Sequence, residues 1–323
     1  VAGFSWGRDG HRVVAKIAAK NLSPDARKKV AAILGTNEAG VEAAMASASI
    51  WPDEISKPDT KTDTWHFIDV PVTAPFSIGT LCAQHNCVID RIQEMSDRLR
   101  MNQSGFKLAK PPIPSRPMTS QELAFLIHFV GDIHQPLHSA NDGDRGGNCE
   151  NLTNPIVHND HSRDTTELHA AWDVDEVLAV FKQRGNEDAT ANALFQRFKN
   201  GAQVQQLTIT DWARESNDLA RTDVYKKPNI PNHTAPVGQC GDCESKCQPG
   251  ISRRERSRCG TTAPARWNPT VENHKRYLRR ERVRSEPGRR APRGARVVRL
   301  PRAGPSDSSL RNQCMLLESA DTS

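Results

Sequence analysis

The stretch His128-Phe-Val-Gly-Asp132-Ile-His134-Gln-Pro136-Leu-His138 sets a histidine and an aspartate four residues apart in otherwise apolar sequence. On a helix, positions i and i+4 share a face, so the His128 imidazole and the Asp132 carboxylate can bind one metal ion. Pro136 ends that helix, and His138 can return toward the same cavity. Downstream, His169-Ala-Ala-Trp-Asp173 repeats the spacing on a second helix. Ligands pointing inward from facing helices are a common way for a helical bundle to build a metal site. A single helical histidine is more often a hydrogen-bonded or surface residue, and it is the repetition of the pair that argues for metal. His134 is rotated off the His128 face, so it is expected to support the site or to face solvent. His85, His158, His161, His233 and His274 lie in loop-like sequence and read as ordinary histidines.

Three further segments offer ligands. Trp6-Gly-x-x-Gly-His11 brings a histidine into the first turns of a helix. Ile50-Trp51-Pro52-Asp53 puts a carboxylate just past a helix end, where it reads either as a ligand or as an N-cap. Trp65-His66-Phe67-Ile68-Asp69-Val70-Pro71 carries an imidazole on a short extended piece bounded by proline.

Positioning these residues requires helices. Ser23-Pro24 is a cap and first-residue pair opening a helix that Gly35 stops, after a helical pattern that begins at Gly10. Residues 38–50 are alanine-rich and helix-prone, and the Trp51-Pro52 step breaks them. Cys87 to Met101 is amphipathic, with Ile89, Ile92, Met95 and Leu99 at helical steps. Thr119-Ser-Gln-Glu122 forms a capping-box pattern for a helix ending near Ile133. Residues 143–148 read as a loop, and helices resume over 165–182, 187–199 and 207–221. Strand signals are few, so the expected fold class is all-α.

Composition divides the chain. Residues 253–302 hold 17 Lys/Arg against 4 Asp/Glu, although the whole chain of 323 residues carries only +6. The basic character therefore belongs to a late segment, and a globally cationic protein that coats nucleic acid is not indicated. No run of about 18 apolar residues appears, so no transmembrane helix and no stable membrane association are expected. Cys82-x4-Cys87 reads as a local disulfide, or as two buried thiols; the disulfide favours an oxidising compartment. Cys149 stands alone, and Cys240, Cys243 and Cys247 have metal-like spacing without a convincing fourth ligand.

Taken together, Trp6-Gly-x-x-Gly-His11, Trp51-x-Asp53, Trp65-His66-Phe-Ile-Asp69, His128-Phe-x-Gly-Asp132 with Gln-Pro-Leu-His138, Gly146-Gly147-Asn148 and Leu168-His169-x-x-Trp172-Asp173 resemble, in order and spacing, the zinc-dependent single-strand nucleases of the S-one/P-one type, relatives of the zinc phospholipases C. Trp212-x-x-Glu215-Ser216 and Val224-Tyr225 extend the likeness to about residue 227. The resemblance implies a multi-helix bundle over residues 6–230 and three zinc ions. Asp53, His66, His128 and Asp132 would hold the first. His11 with the amino nitrogen and carbonyl oxygen of Trp6 would hold the second, bridged through Asp132, and His138, His169 and Asp173 the third. It also implies Asp53 as the catalytic base, Phe67 as a stacking platform for a base and Asp69 as a partner for the base edge; without the family, Phe67 reads as core. The implied activity is hydrolysis of single-stranded DNA and RNA, and of 3′-nucleotides, leaving 5′-phosphates. A secreted or periplasmic monomer is expected. Because a peptide nitrogen cannot act as the amine ligand, residues 1–5 would be a signal-peptide remnant removed before Trp6.

Two departures stand out. Some relatives carry an arginine three residues after the ligand aspartate, where this chain has Ser56 followed by Lys57. Beyond residue 230 an Arg/Pro/Gly-rich tail (231–323) replaces the family's last apolar helix; it reads as a disordered extension, a nucleic-acid-attracting arm, or translation in a shifted frame. A phospholipase C-like phosphodiesterase and a catalytically impaired extracellular zinc-binding protein are the alternative functions.

Overall fold

The computed structural model describes residues 6–55, 62–100, 116–158, 164–199 and 207–225. Ser56 and Lys57, the cysteine cluster from Cys240, His161, His233, His274 and the basic tail lie outside the described residues.

Helix α1 (Gly7–Asn21) is followed by α2 (Pro24–Leu34), whose cap is the expected one. The Ser23 side chain accepts from the Ala26 amide, Pro24 opens the first turn, and Gly35 closes the helix in the left-handed region at φ 67°. A short 3-10 turn leads to α3 (Val41–Ala48), and α4 (Trp51–Ile55) begins at the Trp-Pro step. Pro52 therefore starts a new turn as well as ending the previous helix. As a result Asp53 sits inside α4, not past a helix end. Asp63–His66 is a 3-10 turn, a difference from the extended stretch expected, and the chain extends only from Phe67 onward.

Helix α5 (Val88–Arg100) follows the Cys82–Cys87 disulfide, and α6 (Ser120–Ile133) opens with the full capping box between Thr119 and Glu122. All eleven residues from Leu123 to Ile133 are buried, which makes α6 the central helix, covered on every side. Helices α1, α3 and α5 pack around it, and Trp212 of α10 (Ile209–Leu219) joins the same core.

The region after α6 departs most from expectation. A two-stranded antiparallel hairpin, β1 (Asn151–Ile156) with β2 (Thr165–Glu167), pairs Asn151 with Glu167. Then come one turn, α7 (Leu168–Ala170), a π-helical turn over Ala171–Asp175, α8 (Glu176–Arg184) and α9 (Glu187–Lys199). The single helix read over 165–182 is thus a strand, a wide turn and a helix. The remaining described architecture is helical, as the fold class required.

Candidate metal centre

Helix α6 carries His128 and Asp132 into the core, where both are fully buried. Burying an imidazole and a carboxylate among apolar side chains is unfavourable unless each finds a strong partner. The partners come from three other segments. His66 Nδ1 lies 3.0 Å from both His128 Nε2 and Asp132 Oδ2. Asp53 Oδ1 lies 3.2 Å from His128 Nε2, and His11 Nε2 lies 3.2 Å from Asp132 Oδ1. The His11 and His128 rings stack with centroids 4.0 Å apart.

These contacts define two adjoining donor groups, Asp53/His66/His128 and His11/His128/Asp132, with Asp132 touching both. His138, His169 and Asp173 form a third. Within each group the donor atoms lie within 4.8 Å of one another. The third group is built against the first, because His138 Nδ1 is hydrogen-bonded to the His66 carbonyl at 2.7 Å.

The donors fit a metal ion on several counts. Nδ1 of His128, His138 and His169 each meets a backbone carbonyl, of Ser49, His66 and Gly146 respectively, at 2.6–2.7 Å. That bond fixes the ring and places the lone pair on Nε2, the nitrogen facing the group. His138 Nε2 and Asp173 Oδ2 are buried without a hydrogen bond, as coordinating atoms waiting for a cation would be. Gln135 Nε2 donates to the other Asp173 oxygen at 2.8 Å.

Electrostatics agree. Burial would lower His128, but the Asp132 and Asp53 carboxylates override it and hold the imidazole well above its ordinary range. Burial opposes ionisation of Asp132, yet His128 and hydrogen bonds from His11 and His66 keep it well below the usual carboxylate range. Burial lowers His138 to about 4, leaving it neutral and ready to ligate, and pushes Asp173 well above its usual range.

The eight side chains expected as ligands, His11, Asp53, His66, His128, Asp132, His138, His169 and Asp173, are therefore brought together. Trp6, whose expected ligand atoms are main-chain, is the N-cap residue of α1, buried with φ 25°. Its neighbour Gly7 packs so closely on the π turn that a Cβ there would lie 2.7 Å from the Asp173 carbonyl oxygen. Phe67 and Asp69, both half-buried, line one cavity of about 320 Å³. Burial raises the Asp69 carboxyl above its ordinary value, with Arg145 opposing.

The histidines outside these groups separate from it by geometry. His134 is not exposed: it is buried, with Nδ1 2.7 Å from the Val130 carbonyl and its ring against Trp212. His158 bonds Thr165 and Asp175, and His85 bonds Asp90. Sequence reasoning gave no role to Gln135, whose only signal was a polar side chain set in a buried apolar run. Cys149, which stands alone in the sequence, is disulfide-bonded.

The family model for S1/P1 nuclease matches residues 6–237. The chain belongs to the S1/P1 nuclease family. This S1/P1 nuclease is 33% identical to endonuclease 3 of Arabidopsis thaliana over 238 residues, 68% of the chain and 76% of that relative. It is 28% identical to nuclease P1 of Penicillium citrinum over 261 residues, 73% and 86% of the two chains, and 29% identical to nuclease S1 of Aspergillus oryzae over 212 residues, 61% and 64%. It is thus a hydrolase of phosphodiester bonds whose substrates are nucleic acids, with buried His/Asp groups able to bind metal.

Proposed function

We propose that this S1/P1 nuclease is a three-zinc endonuclease and 3′-nucleotidase that hydrolyses single-stranded DNA and RNA to 5′-phosphate products. The observation that carries the reading is the convergence of eight buried or nearly buried imidazole and carboxylate donors into three contiguous groups. Imidazole and carboxylate ligands in closed sets of three or four suit zinc. Asp53, His66, His128 and Asp132 would hold one ion; His11, Asp132 and the Trp6 main chain a second; His138, His169 and Asp173 a third. When bound, the ions lower the pKa of water to near neutrality and neutralise charge developing on the phosphate.

The protein's own groups supply the rest. Asp53 is the most solvent-accessible side chain of its group, 12% exposed where His128 and Asp132 are sealed. Its carboxylate is thus the one that can orient the attacking water and accept its proton. In-line attack then breaks the P–O3′ bond and leaves the phosphate on the 5′ side. The carbonyls of Ser49, His66 and Gly146, with Gln135, keep the ligands in register. Phe67 gives any unstacked base a platform, and Asp69 offers its edge a hydrogen-bonding partner, which suits single strands with little sequence preference.

The Cys82–Cys87 disulfide supports a secreted or periplasmic setting. No helix of the described residues is long and apolar enough to cross a membrane. The second ion's amine ligand requires the active enzyme to begin at Trp6, which N-terminal sequencing of active protein reads directly. The experiment that tests the mechanism is Asp53→Asn with metal content and hydrolysis measured together. We expect zinc to be retained while turnover on single-stranded DNA falls by about 10²–10⁴-fold. Intact turnover would remove Asp53 as the base.

A further inference from the structure

The cavity beside Phe67 and Asp69 has a second wall that the proposed mechanism leaves unexplained. Most of its lining comes from one short loop, residues 80–87, including Leu81, Gln84 and Asn86. That loop is held to a single shape by unusually many constraints. The Cys82–Cys87 disulfide closes it, and successive turns run from Leu81 N to Ile78 O, Ala83 N to Thr80 O and His85 N to Cys82 O. His85 occupies the left-handed region at φ 51°, which a residue with a side chain rarely adopts. It is kept there by Asp90, 3.0 Å from its ring, and by the Arg91 guanidinium on its carbonyl. The Val88 amide bonds the Phe67 carbonyl at 3.2 Å, tying the loop's end to the aromatic platform. Strain that the surroundings over-determine in this way is characteristic of ligand-binding segments.

Leu81, Gln84 and Asn86 project from this loop without packing into the core. Leu81 is 42% exposed, one of four large apolar side chains exposed among the described residues. Gln84 and Asn86 are exposed. Among the described lining residues there is no lysine or arginine, so these residues bring no cationic side chain to a phosphate. An apolar contact, two side-chain amides and an aromatic ring suit a flat, neutral group with a hydrogen-bonding edge.

We infer that the Cys82–Cys87 loop is the opposing wall of the base pocket, with Leu81 contacting the nucleobase and the Gln84 and Asn86 amides reading its edge. The inference rests on the proposed role of Phe67 and Asp69 and adds to it the residues that grade one base against another. Each amide presents both a donor and an acceptor, so it distinguishes bases by the pattern on their edges. Because the disulfide fixes the loop before substrate arrives, little ordering accompanies binding.

The test uses the zinc-loaded enzyme and single-stranded dA, dC and dT oligonucleotides, with an abasic oligonucleotide as reference. For Gln84→Ala and Asn86→Ala, the ratios of kcat/KM among the three bases should change by about 3- to 10-fold, the range of one hydrogen bond. Leu81→Ala should lower all three relative to the abasic strand. Phe67→Ala separates the two levels of the argument. If it lowers the base-to-abasic ratio while the loop variants keep the wild-type ratios, the loop is a scaffold and the inference fails alone. If Phe67→Ala also leaves that ratio at the wild-type value, the base pocket itself falls and the inference goes with it.

Discussion

A single added methyl group on α6 should disable one metal-donor group while leaving the fold standing. A Cβ on Gly131 would lie 2.7 Å from His11 Nδ1 and 2.9 Å from its Cε1. Ordinary non-bonded contact begins near 3.5 Å, so the ring must retreat by about 0.8 Å. His11 is buried and already stacked on His128, which leaves it little room to comply. Coordination tolerates displacements of only about 0.2 Å from a Zn–N distance near 2.0 Å. Gly131→Ala should therefore weaken the ion shared by His11 and Asp132 by about 10- to 100-fold, the range found when support of a ligand is lost. The net cost to global stability should stay within about 2 kcal/mol, because about 1 kcal/mol of helix propensity gained offsets part of the roughly 1–3 kcal/mol of overpacking. Metal content after dialysis at limiting zinc, thermal melting and hydrolysis of single-stranded DNA would be measured on one preparation. Wild-type metal content together with wild-type activity would refute the reasoning that this glycine exists to admit His11.

Further predictions concern the third group and the acid limb of stability. Gln135→Ala removes the hydrogen bond to Asp173 and should lower zinc affinity at the His138/His169/Asp173 group by about 10- to 100-fold, read by competition with a chromogenic chelator. Burial holds His134 down to about 4, below its ordinary value near 6.5. The unfolded chain therefore takes up a proton that the folded one refuses as the pH falls through this window. Stability from this residue is present above about pH 6.5 and lost toward pH 4, on the order of 3 kcal/mol in all. Denaturant melts of wild type and His134→Gln should diverge in slope across that window; parallel slopes would contradict the assignment.

Much of the centre was legible because its determinants are local. Ser23-Pro24 with Gly35, and Thr119 with Glu122, mark helix ends through side-chain and backbone bonds that four residues can specify. His128 and Asp132 converge because helical geometry alone puts them on one face. What sequence reading missed depends on contacts between distant segments. The pairing of β1 with β2 joins segments apart in sequence, such as Asn151 with Glu167, and the largely exposed β1 has no alternating apolar face to announce it. The π turn at Ala171–Asp175 accompanies the close approach of Gly7 to the Asp173 carbonyl, which only the packed structure shows. Rotation off the His128 face leaves a supporting or an exposed position equally open to His134; as the C-cap residue of the buried α6, it meets Trp212 instead. Gln135 acts on a residue 38 positions away, a distance that no spacing rule covers.

The proposed hydrolysis of phosphodiester bonds with three bound zinc ions can be tested by stripping the full-length protein of metal and restoring zinc stepwise. Bound metal, cleavage of a single-stranded oligonucleotide and the chemistry of the new ends would be followed together. Binding should saturate at three zinc ions per chain, activity should appear only as the donor groups fill, and the products should carry 5′-phosphates. Full cleavage by the stripped protein, or activity that reaches its maximum with a single ion bound, would contradict it.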